Sequence, residues 1–143
     1  MPPPGVFTYD PKNVSVIVGG QTMSGFGDGT FVKFGRDENM WNKKIGVDGE
    51  GTRAKSNNKA GFMEISLMQS SASNDVLSGF AAADELSNTG AVPVLIRDNN
   101  GRTLATCLTG WVVKYPDTEF AKEVTVRTWR IETDELAIFI GGN

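Results

Sequence analysis

Residues 61–86 read GFMEISLMQSSASNDVLSGFAAADEL, and the change of period inside this stretch decides the fold. From Gly61 to Gln69 the chain alternates. Met63, Ile65 and Leu67 share one side, and Glu64 and Ser66 take the other, which is the pattern of a half-buried strand. Ser70, Ser71, Ser73 and Asn74 then offer side-chain oxygens for a helix start, and Asp75 suits the positive end of a helix dipole. Val76, Leu77, Phe80 and Ala83 form an apolar stripe, with Asn88 and Gly90 as the stop, so a helix is predicted over about residues 74–88. No other stretch has a comparable helical period. One strand feeding one amphipathic helix, with strands on both sides, predicts a mainly β fold whose single helix covers an opening or a flank of the sheet.

After the helix, Val92 to Arg97 reads as a strand and Asp98 to Gly101 as a hairpin turn. Thr103 to Tyr115 returns as a long strand. Leu104, Leu108 and Val112 fall on one side of it, and Ala105, Cys107, Trp111, Val113 and Tyr115 on the other, so both faces need cover. Glu123 to Ile131 is a further strand, Glu132 to Asp134 interrupts it, and Leu136, Ile138 and Ile140 make a last apolar zigzag. An apolar terminal edge is an aggregation hazard unless it is paired or covered.

Before the helix, Val14 to Val18 reads as a strand, and Gly19-Gly20 suits the positive φ angles of a tight hairpin. Gly25, Gly27 and Gly29 mimic the spacing of a phosphate-binding loop. A dinucleotide site needs a helix directly after such glycines, however, and Thr30 to Arg36 reads as a strand. Residues 36–60 lose all period, a length that needs a reason in a compact unit. Met40, Trp41, Ile45 and Val47 form apolar islands there among dense charge, unlike a purely disordered segment. Asp48-Gly49-Glu50-Gly51 resembles a calcium loop, but its acidic ligands are misplaced, and a hairpin tip fits better. The excursion is either a flexible surface loop or one that folds against a partner subunit, with Trp41 as an interface anchor. The N-terminal arm, residues 1–12, opens with three prolines followed by Phe7 and Tyr9. It is either a frayed end or a pre-ordered docking strap.

The 143 residues fit one domain, with an apolar fraction of 39% and 17 glycines. No segment approaches the apolar run a membrane span needs, and no signal-peptide layout is present, so membrane insertion is not expected. A net charge of -3 without a lysine or arginine run argues against tight nucleic-acid binding. The lone Cys107 precludes an internal disulfide and reads as a buried small hydrophobe. There is no histidine, which removes the usual general base and the commonest metal ligand. A carboxylate pair drawn from Asp28, Asp48, Glu50, Glu64 or Asp117 is conceivable, but sequence spacing sets none of them opposite another. No catalytic, cofactor or metal residue is predicted, and the chain is not expected to be an enzyme.

Taken together, these segments resemble the tail tube protein of contractile-tailed bacteriophages: the hairpin VSVIVGG at 14–20 with its return to Ser24-Gly25-Phe26-Gly27, the excursion containing Gly46-Val47-Asp48-Gly49, the strand-to-helix entry MEISLMQSSASN at 63–74, and the Asp98–Gly101 turn. The resemblance spans almost the whole chain. It implies a small β-barrel or sandwich flanked by one helix, with hexameric rings stacking into a hollow inner tube whose wall is a continuous sheet around a channel for the genome. The subunit would assemble in the host cytoplasm and reside in the virion tail. Its partners would be copies of itself, the sheath protein, a baseplate or tube initiator, the tape measure and the tail terminator, with double-stranded DNA only in transit.

In that family the long loop and both chain ends contact neighbouring subunits. The resemblance thus makes residues 36–60 a stacking loop, and Phe7, Tyr9, Met40, Trp41, Ile45, Val47, Leu136, Ile138 and Ile140 interface candidates. Glu64 and Ser66, on the polar side of their strand, are candidates for the lumen, where a mildly acidic wall would repel phosphates. A tube protein of a related injection or secretion machine and a monomeric ligand-binding barrel are the alternatives.

Overall fold

The computed structural model describes residues 5–142, so Pro2, Pro3 and Pro4 of the arm lie outside the described residues. The strands are β1 (Val14–Val18), β2 (Gln21–Thr22), β3 (Val32–Arg36), β4 (Trp41–Ile45), β5 (Gly51–Lys55), β6 (Gly61–Met68), β7 (Val92–Asp98), β8 (Leu104–Lys114), β9 (Val126–Thr133) and β10 (Ala137–Phe139). The helix α1, Ser73–Ser87, lies between β6 and β7. All neighbours in the main sheet are antiparallel, in the order β2-β1-β7-β8-β9-β6-β3, with β10 added beside β8. The segment after β2 joins the sheet's two ends. Met23 N–H donates to Val16 O at 2.8 Å, while Met68 N–H donates to Gly25 O at 2.8 Å and Gly27 N–H to Ser66 O at 2.9 Å. The sheet is therefore rolled into a small barrel.

The alternation read in β6 is complete, with Met63, Ile65 and Leu67 buried and Phe62, Glu64, Ser66 and Met68 half-exposed. The buried set meets Val16 and Val18 of β1, Val94 and Ile96 of β7, and Trp129 and Ile131 of β9 in one core. The helix closes it. Leu77 and Ala81 are buried, Val76 and Phe80 pack partly, and the Phe80 ring lies against Gly19 of the β1–β2 turn. That turn has φ angles of 59° and 83° at Gly19 and Gly20, the two positive values a tight hairpin demands. At the other end of α1, Asn88 is left-handed (φ 58°) and its N–H caps Asp84 O.

The helix start bears out the expectation in part, since one of the offered serines supplies the oxygen although the N-cap position itself is not one of them. Its N-cap residue is Ala72, which has no capping side chain, and Ser71 Oγ instead accepts from Ser73 N–H at 3.1 Å. Ser71 Oγ also donates to Ser24 O at 2.6 Å, and Ser73 Oγ accepts from Ser24 N–H at 2.9 Å. The serines thus tie the helix to the β2–β3 connection as well as capping it.

On β8 the predicted faces hold as far as Leu108 and are overturned beyond it. Val92 and Val94 of β7 pair with Gly110 and Cys107, so one extra β8 residue is accommodated in between. This bulge reverses the alternation. Ala105 and Cys107 point inward, Leu108 is exposed, and Val112 rejoins the core side. A second bulge follows between Val112 and Lys114. The break expected at Glu132–Asp134 is also displaced, because β9 runs on to Thr133, whose buried hydroxyl donates to Thr109 O at 2.7 Å.

Cys107 is 3% exposed, and burial pushes its thiol pKa up, only partly opposed by a hydrogen bond from Thr133. With the folded thiol harder to ionise, its stabilising contribution is full below the ordinary thiol pKa and is lost as pH rises through the folded value. Cys107 is expected to resist alkylation at pH 8 until denaturant is added, as read by mass spectrometry. Rapid native-state modification would contradict its burial.

Candidate functional site

The chemistry-bearing side chains lie on surfaces. Residues 36–60, without period in the sequence, hold a second sheet of two strands, β4 and β5, which among the described residues pair only with each other. Every residue of both strands is exposed, which is why no buried face marks them in the sequence. The stem begins where Asp37 N–H bonds Ala60 O at 3.0 Å and Ser56 N–H bonds Met40 O at 2.8 Å, and it turns at Gly46–Glu50, the tip the sequence indicates. Met40, Trp41, Ile45 and Val47 are all exposed on it, and Arg53 lies 3.9 Å over the Trp41 ring. Phe7 and Tyr9, before a short 3-10 turn at Pro11–Asn13, are exposed as well.

The C-terminal candidates divide. Ile140 is exposed, Ile138 in β10 is half-buried against the core, and Leu136 is fully enclosed. Leu136 therefore offers no side-chain surface to another subunit, which corrects its assignment as an interface residue. The physical reason is at the backbone. Leu136 N–H donates to Lys59 O at 2.9 Å, and its carbonyl accepts from Arg36 Nη2 at 2.9 Å and Nε at 3.1 Å, drawing the segment down onto the barrel at the foot of the hairpin. The glycine at position 61 makes this possible, because a Cβ there would stand 2.7 Å from both Gly35 O and Leu136 Cδ2.

Glu64 and Ser66 occupy the face of β6 turned away from the core, and neither is a free group. Glu64 Oε1 is 2.9 Å from Arg130 Nη1, and Arg130 Nε is 2.9 Å from Glu132 Oε2. The Glu132 hydrogen bond is the main cause of an upward shift of the Arg130 pKa, reinforced by Glu64 against some desolvation. Arg130 also covers the Phe62 ring at 4.3 Å, and Ser66 Oγ meets Thr128 Oγ1 at 3.1 Å. Lys33 stands opposite Glu64 on β3 and Lys114 opposite Arg130 on β8. The face is thus a polar ladder across four strands, with its acids shared by one guanidinium.

The sequence reading missed the loop 115–125. Phe120 is 82% exposed with its ring 5.6 Å from the Arg127 guanidinium, and Val124 is exposed on the same loop. A bulky aromatic isolated in a polar stretch was the available signal. Among the described residues no group of histidine, cysteine, aspartate or glutamate has a metal-binding arrangement.

The family model described as bacteriophage PhiTE tail tube protein matches residues 8–141. A structural protein, ORF10, of Pseudomonas phage KPP10 is 28% identical over 144 aligned positions, covering 95% of this chain and 83% of that one. Among solved structures, the tube-terminating cap of the anti-feeding prophage superposes with a TM-score of 0.63 at 10% identity, over 94% of this chain and 92% of that one. A chain of the extended sheath-tube complex of the PVC extracellular contractile injection system gives 0.61 at 9% identity, over 93% and 92%. These two similarities concern the fold alone. The family match spans the barrel, its helix and the hairpin together, and the chain belongs to the bacteriophage PhiTE tail tube protein family.

Proposed function

We propose that copies of this chain close laterally into hexameric rings, that the rings stack into the inner tube of a contractile tail, and that the phage genome passes through that tube into the host. The observation that carries this reading is a pair of open strand edges. Among the described residues β3 pairs with β6 alone, and β8 beyond Gly110 pairs with β9 alone, so the run β3-β6-β9-β8 ends in unpaired backbone on both sides. Its directions alternate throughout. A neighbour's β3 laid beside β8 continues the alternation, and ring closure leaves no edge exposed. The Glu64–Arg130–Glu132 face then lines the channel. Cations bound to carboxylates on the same wall hold passing phosphates weakly, so DNA moves without sticking.

The sheath, a tube initiator, the tape measure and a terminator are the partners this role requires. Electron microscopy of the purified protein, alone and seeded with tail baseplates, tests it. Rings and hollow tubes are expected, and a chain that stays monomeric under both conditions would remove the proposal. Within assembled tails, Glu64→Lys with Glu132→Lys is expected to slow genome ejection by creating a lumenal cation cluster. Unchanged ejection kinetics would reject the polar face as the channel wall.

A further inference from the structure

The two poles of the subunit carry complementary surfaces, and we infer that they meet: the basic stem of the β4–β5 hairpin of one copy seats on the acidic loop 115–125 of the next. The poles follow from the register. The hairpin leaves after Arg36 and returns at Gly61, and these two residues pair with each other. The loop enters β9 at Val126, which pairs with Met68 at the opposite end of β6. Seven residues of extended chain separate those ends by about 24 Å. Thr125 fixes the far part of the loop there, its N–H and hydroxyl both donating to Gln69 Oε1 at 3.1 Å.

Among the described residues the stem's cations meet no carboxylate, and Arg53 lies instead over the Trp41 ring at 3.9 Å. Lys43 and Arg53 are directly opposed, and Lys55 stands opposite Trp41 on the same face. Like charges placed this way destabilise a hairpin. Among the described residues none of Lys43, Lys44, Arg53 and Lys55 makes an ion pair. The hairpin's own acids, Asp48 and Glu50, sit in the turn, where Asp48 Oδ1 accepts from Glu50 N–H at 3.2 Å. An isolated hairpin gains only the Arg53–Trp41 contact from this arrangement. A stem that docks on carboxylates does, and Trp41 and Ile45 on the basic face add an apolar contact.

The opposite pole supplies both features. Asp117, Glu119 and Glu123 are exposed and outnumber the loop's one cation, the exposed Lys122; the one ion pair that these acids make among the described residues, Asp117 to Lys114 at 3.5 Å, is itself open to solvent. Phe120 and Val124 are exposed on the same loop. Beneath them Arg127 Nε is buried without an acceptor among the described residues, which leaves this pole unsatisfied in the single chain. Because donor and acceptor surfaces lie at opposite ends, the contact is heterologous and repeats without closing, as a stack. This inference rests on the ring-stacking reading and adds its acceptor and its salt dependence.

Charge exchange in the full-length protein tests it. Lys43→Glu with Arg53→Glu, and separately Glu119→Lys with Glu123→Lys, are each expected to raise the critical concentration for tube growth roughly tenfold or more. The milder Lys43→Gln with Arg53→Gln should fall between. All these residues are exposed, so unfolding midpoints should match the parent and show that the variants fold. Combining both reversals is expected to bring the critical concentration back to within roughly threefold of the parent. Parent tubes should also disassemble as salt rises. If the parent forms tubes but hairpin reversal changes nothing, or the combined variant grows no better than either pair, this contact is wrong and the tube reading stands. A parent that forms no rings refutes both.

Discussion

Trp129→Ala is expected to destabilise the unassembled chain by about 3–5 kcal/mol, enough to leave a marginal domain largely unfolded. Trp129 is 2% exposed, and its loss opens a cavity between β9 and the start of α1. It also breaks a polar network. The indole Nε1–H donates to Asn74 Oδ1 at 2.9 Å, while Asn74 Nδ2 donates to Met68 O at 2.9 Å and Ser71 O at 3.0 Å. One amide thus satisfies the carbonyls at the strand-to-helix corner and fixes the helix to the barrel wall. Trp129→Phe keeps most of the volume and leaves Asn74 Oδ1 without a donor, for an expected cost of about 1–3 kcal/mol. Asn74→Ala should cost a similar amount, and the double variant less than the sum of the two, because the shared bond is lost only once. Urea unfolding at concentrations below assembly measures all of these. Strict additivity would show that the indole and the amide are not coupled.

That network also marks the limit of what the sequence discloses. Asn74 reads as a helix cap because Asx and hydroxyl residues cluster at helix starts, and nothing local says that Trp129, far along the chain, will claim its side chain. β6 was legible for the opposite reason. One of its faces is buried along its full length, so selection for the core imprints a period of two on Met63, Ile65 and Leu67. Where burial is absent the imprint vanishes, and β4 and β5, exposed on both faces, read as a loop. The bulge after Cys107 breaks the pattern in another way. A single extra residue reverses the parity of everything beyond it, so Leu108 and Val112, read as one face, end on opposite faces. Polar Glu64 and Ser66 were correctly placed on the non-core face, but the pairing of Glu64 with Arg130 depends on a cross-strand register that sequence alone does not fix.

Leu136→Ala is expected to cost about 2–5 kcal/mol, the range for emptying a fully enclosed leucine site. In the sequence Leu136, Ile138 and Ile140 look equivalent, three apolar residues two apart near a chain end. In the fold they descend a gradient from buried to exposed, because the hydrogen bonds of Leu136 to Lys59 and Arg36 draw only the first of them onto the barrel. Ile140, 75% exposed, therefore serves as the control, and Ile140→Ser should leave stability within about 0.5 kcal/mol. Arg36→Met separates the backbone tie from the packing. It removes a charged donor from the Leu136 carbonyl while Lys59 still holds the N–H, and an intermediate loss of about 1.5–3 kcal/mol is expected. The same clamp sits where the hairpin leaves the barrel. Loosening it should therefore also broaden the angle at which β4–β5 projects, measurable as increased proteolysis within residues 37–60 at denaturant concentrations where the core is intact. If Leu136→Ala proved no more costly than Ile140→Ser, the C-terminal segment would not be anchored by this side chain, and its assignment to the core would have to be withdrawn.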